Sequence, residues 1–130
     1  MTSSSLFRGT RLVSAAVLAI AAGYHVVQAV GGHGDVVRHW LFVPVNAAVA
    51  GLLVWRPRWS FWPVLALTVQ QMWSHGLELS RSFLGTEPLD WVSLAVCLFF
   101  PTLATVLFIE RQERAEAEAE AAEGEAEAKT

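Results

Sequence analysis

One cysteine, Cys97, stands in 130 residues. It excludes an intramolecular disulfide and any cysteine-based zinc or iron–sulfur centre within one chain. Charge is scarce too: 16% of residues are charged, against about 25% in soluble domains. The chain has no Gly-rich phosphate loop, no dinucleotide fingerprint, no HExxH and no basic cluster. Nucleic-acid binding therefore has no support.

What is abundant is apolar surface, 54% of residues, and the little charge is unevenly placed. Residues 110–130 hold eight glutamates against Arg111, Arg114 and Lys129. Residues 1–109 hold six arginines against Asp35, Glu78, Glu87 and Asp90. The overall charge of −3 is thus a property of the tail, and the body reads as an integral membrane protein.

Four apolar runs follow one another. Residues 1–11 form a short polar segment with Arg8 and Arg11 just before Leu12–Val30. That run is close to the about 20 residues a helix needs to cross a bilayer, and it lacks the cleavage motif of a secretory signal. Gly31, Gly32 and Gly34 break it, and Asp35 is placed to cap a second helix over 36–55. Pro44 bends that helix if it starts there, or lies in its first turn if it starts near Leu41. Ser60 is placed to cap a third helix, 61–80, with Pro63 tolerated in its first turn. Thr86, Glu87 and Pro88 read as the start of the fourth, 89–109, which Pro101 kinks. Residues 110–130 are an acidic Glu/Ala-rich tail, expected to be helical for one or two turns and then disordered.

The fold expected is all-α: a four-transmembrane-helix bundle over residues 12–109. Arg8, Arg11, Arg56, Arg58, Arg111 and Arg114 gather on one side, so both termini and the tail are expected in the cytoplasm of a multi-pass cell-membrane protein. Trp40, Trp55, Trp59, Trp62 and Trp91 fall near the predicted interfaces, as an aromatic belt does.

The stretch 68–82 carries the strongest functional signal. Gln71, Ser74, His75 and Glu78 share one face of the third helix. Counted along each helix, His25, Gln28, Asn46, Asp90 and Ser93 reach the same outer half of the membrane. An ionisable residue there is a functional-site hypothesis, because burying it is costly. The expectation is an outward-opening polar pocket in which His25 meets Glu78 directly or through one water or ligand. His25, His75 and Glu78 are the candidate catalytic groups. Gln28, Asn46, Gln71 and Trp73 are the candidate substrate-binding groups.

The leading reading is a protein that binds or transforms a lipid-soluble or small amphipathic substrate by proton transfer. Three others stand beside it. One is a metal or haem site built on His25, His75 and Glu78 with His33 or His39. Another is a structural or accessory subunit whose polar network fixes helix pairing. The last is a small transporter, which would need a dimer. Four short helices around a membrane glutamate resemble the small multidrug-resistance exporters in size. Their essential glutamate lies in the first helix, where this chain has His25 and Gln28; Glu78 is in the third. The partners expected are the lipid bilayer, a small-molecule or lipid ligand, and a second copy or a larger membrane complex. No cofactor is specified by these residues.

Overall fold

The computed structural model describes residues 3–85 and 88–129. They form four helices: α1 (Ser3–Val30), α2 (Val36–Trp55), α3 (Phe61–Phe83) and α4 (Trp91–Glu127). Among the described residues, three of these are long and apolar enough to cross a membrane, within Leu6–Val30, Val36–Trp55 and Trp91–Glu127. α3 falls short of that measure because Gln70, Gln71, Ser74, His75, Glu78, Ser80, Arg81 and Ser82 crowd its second half. The chain is an integral membrane protein with all-α structure, organised in two compact units, residues 1–63 and 64–130.

In the first unit α1 packs on α2. Ala15, Ala22 and Ala29, seven residues apart, are buried on α1 together with Leu18. Small side chains at that spacing let a second helix approach closely. On α2 the buried strip is Asn46, Val49, Ala50 and Leu53. The turn between them is a Schellman closure: His33 N–H donates to the Gln28 carbonyl at 3.0 Å and Gly32 N–H to that of Ala29 at 3.3 Å. Gly32 supplies the positive φ of 68° that this closure requires. Asp35 then caps α2 by accepting from the Arg38 N–H at 3.0 Å. α2 therefore starts at Val36, and Pro44 lies inside it. Ser60, expected to cap α3, instead accepts at its Oγ from the Arg11 guanidinium at 3.4–3.5 Å, both residues being buried.

In the second unit α3 and α4 are tied by side-chain hydrogen bonds. The Thr68 hydroxyl donates to Val64 in its own helix at 2.8 Å and lies 3.4 Å from the Phe100 carbonyl. Near the connection, Asp90 N–H donates to the Ser82 hydroxyl at 3.3 Å. The expected helix start at Thr86 and Glu87 lies outside the described residues. The cap of α4 is Asp90, whose Oδ1 accepts from the N–H groups of Val92 and Ser93. Phe100, Leu103, Ala104 and Leu107 are buried along α4 at the spacing of one helix face.

α4 does not stop near Ile109. It is continuous to Glu127, where disorder was expected after the first turns. Ala and Glu are strong helix formers, and Gly124 is tolerated inside at a cost of about 1 kcal/mol. Pairs four residues apart add support: Arg114 binds the buried Glu110 carboxylate, and Lys129 lies 3.7 Å from Glu125.

Candidate functional site

Ser93 is the centre of the richest polar cluster. Its side chain is fully buried in the first turn of α4. Its Oγ lies 2.6 Å from Asp90 Oδ2, 2.9 Å from Glu78 Oε2 and 2.9 Å from His75 Nδ1. His75 Nδ1 also lies 3.2 Å from Glu78 Oε2. The helical period explains the convergence. His75 and Glu78 are three apart on α3, and Asp90 and Ser93 are three apart at the start of α4, so each pair projects from one side of its helix.

The hydrogens can be counted. A serine hydroxyl has one proton and two lone pairs, and a neutral imidazole one N–H. The shortest contact assigns the hydroxyl proton to Asp90. The Asp90 carboxyl is held below its ordinary value of 3.8, first by the Ser93 hydroxyl and further by the capping N–H groups and by His75. A His75 N–H on Nδ1 then divides between Ser93 Oγ and Glu78 Oε2. Two hydrogens serve four close contacts, and a third, on the Glu78 carboxyl, fills the Glu78–Ser93 contact. The same four atoms therefore accommodate either two or three protons.

This is not a nucleophilic serine relay. Such a relay needs the hydroxyl on one imidazole nitrogen and the carboxylate on the other. Here both face Nδ1.

Gln71 lies one helical turn before His75. It is buried, at 6% exposure, and its Oε1 meets no donor among the described residues. An unpaired buried acceptor costs about 1–3 kcal/mol. Trp73, two positions on, points away from that face and is exposed. Cys97 is half-buried one turn below Ser93.

In the first unit, His25 Nδ1 and His39 Nδ1 face each other at 2.8 Å. The His25 ring stacks on Phe42, and Tyr24 sets its edge against both imidazoles. Gln28 is half-buried on α1. Asn46 is buried and donates its amide to the Phe42 carbonyl of its own helix at 2.9 Å. His33 lies in the exposed turn, its ring so close to Gly31 that a Cβ there would sit 2.7 Å from Cδ2. His25 and Glu78 belong to different units, and each has a close partner within its own. Among the described residues, no three histidine, cysteine, aspartate or glutamate side chains are grouped to hold a metal ion.

Two contacts of the site were not visible in the sequence. Ser93 and Asp90 were placed at the right depth, but Ser93 was not seen as the hub. The signal was available in D-x-x-S at a helix start, where the aspartate caps and the serine turns back toward it. His39 enters the sequence reading only as a possible closing ligand of a metal site; its contact with His25 is set by the tight turn, which a sequence pattern does not resolve. Neither known protein families, nor characterised proteins, nor solved structures contain a match to this chain.

Proposed function

We propose that this protein binds a small amphipathic molecule bearing a hydroxyl or amine at the α3–α4 cluster and exchanges a proton with it. The observation that carries this reading is the Ser93 hub, where one hydroxyl serves two carboxylates and an imidazole. Glu78 is the group that gains or loses the exchangeable proton. His75 orients it, and Asp90 holds the hydroxyl in place. Gln71 Oε1, which meets no donor among the described residues, supplies an acceptor for the O–H or N–H of the ligand. In this reading α3 is the fourth membrane crossing: its 23 residues reach about 34 Å at 1.5 Å each, enough for the hydrocarbon core. The arginine distribution supports cytoplasmic termini, which puts the cluster in the outer half of the membrane.

The test is thermal unfolding of the detergent-purified chain with 1-decanol, decylamine or decane. The alcohol or the amine is expected to raise Tm and decane to leave it unchanged. Gln71→Leu is expected to abolish the shift while leaving the unliganded protein as stable or more so. No shift with either polar probe, or a shift that survives Gln71→Leu, overturns the assignment.

A further inference from the structure

We propose that His25 and His39 form a second, separate site: a two-imidazole site for a late divalent transition-metal ion such as Zn2+. The two Nδ1 atoms face each other at 2.8 Å. In the neutral metal-free pair, one histidine carries its proton on Nδ1 and donates to the other. If both rings carry their proton on Nε2 instead, both Nδ1 lone pairs face the gap between the rings, which a cation shares once the rings rotate apart. This tautomer change moves no net proton, so the neutral pair takes up a metal without acid release.

The geometry is close to that of ligands on one ion. With Zn–N bonds of about 2.0–2.1 Å, two imidazole nitrogens lie about 3.3 Å apart at a tetrahedral angle. Binding then asks for about half an ångström of separation beyond the observed distance, within reach of small side-chain rotations. The rings are already held in place. His25 stacks on Phe42 at 5.4 Å between centroids, and Tyr24 packs edge-on against His25 at 5.6 Å and His39 at 6.4 Å. The backbone is fixed as well, by the closure at Gly32 and by the Asp35 cap four residues before His39. Both imidazoles are half-buried, and the turn between their helices is exposed, so an ion has a path from solvent.

The ligand set defines the class. Imidazole nitrogen suits zinc, copper and nickel, whereas magnesium and calcium require oxygen donors. With two protein ligands the remaining positions belong to water or an exogenous ligand. The site is therefore exchangeable, unlike a closed structural zinc site with four protein ligands.

The experiment is isothermal titration of the full-length chain in detergent with ZnCl2 and, separately, MgCl2, followed by the same titration of His25→Ala, His39→Ala and His75→Ala. About one Zn2+ per chain and no Mg2+ binding are expected. Either His25→Ala or His39→Ala is expected to weaken Zn2+ binding by more than the roughly 10–100-fold that loss of a supporting hydrogen bond costs. His75→Ala is expected to bind like the parent. Imidazole 15N resonances of the unmutated protein give a second reading that does not depend on any variant folding: two of the four histidines shift at Nδ1 on Zn2+ addition. Absence of Zn2+ binding, binding indifferent to His25 and His39, equal loss in His75→Ala, or no change in the histidine resonances overturns the site.

Discussion

The two units solve the same problem in different ways. Each holds histidine in an apolar chain, where an unpaired polar group is costly. The first unit pairs like with like: two imidazoles facing each other through Nδ1. The second pairs unlike groups: an imidazole and two carboxylates around one hydroxyl. The like pair suits the proposed cation, and the mixed cluster suits the proposed proton exchange. The difference lies in the partner each histidine finds within its own unit.

The largest effect that separates the two belongs to Ser93→Ala. It removes the hub and leaves Asp90, Glu78 and His75 without their common partner. A loss of about 1–3 kcal/mol in unfolding free energy is expected, measured by thermal or denaturant unfolding in detergent. Zn2+ binding at His25 and His39 is expected to survive it. A loss of Zn2+ binding would break the comparison by joining what is here separate. Next is Gly32→Ala, which forces a side chain into the left-handed region at a cost of about 1–2 kcal/mol. It is expected to weaken Zn2+ binding and to spare the decanol response.

A pH experiment sharpens the second unit alone. Asp90 has a folded-state carboxyl below its ordinary 3.8, so its contribution is complete above that value. As pH falls through the lower folded value the contribution is lost. Acid unfolding curves of the parent are expected to show this loss below about pH 4, and Asp90→Asn to show a smaller dependence on pH there. The smallest effect is Thr68→Val, which deletes the contact to the Phe100 carbonyl. A cost of about 0.6 kcal/mol is expected, the average for such bonds between membrane helices.

Much of this was legible in the order of residues. The helices over 36–55 and from 61 follow from apolar runs broken by glycine, proline and arginine, and the Asp35 cap follows from its position before Val36. The polar face Gln71–Ser74–His75–Glu78 follows from helical spacing. What stayed hidden depends on three-dimensional register. That Glu78 meets Ser93 turns on the rotation of α3 about its own axis, which periodicity leaves free. The pairing of His25 with His39 depends on the length and closure of a five-residue turn. The persistence of α4 past Ile109 was underestimated because repulsion among glutamates was weighted above the propensity of alanine and glutamate for helix. Spaced glutamates on a long exposed helix repel weakly in water, and propensity accumulates with every residue.

The unbroken length of α4 has a mechanical consequence. Its 37 residues extend about 55 Å, while the hydrocarbon core takes about 30 Å. The rest exceeds the hydrocarbon thickness and carries eight glutamates against Arg111 and Arg114, a net negative charge that an anionic lipid surface repels. Pro101 lies inside α4, where a proline removes a helix hydrogen bond, and about 39 Å of helix separate it from Glu127. At that leverage, a change in bend of about 10° sweeps the far end through about 7 Å.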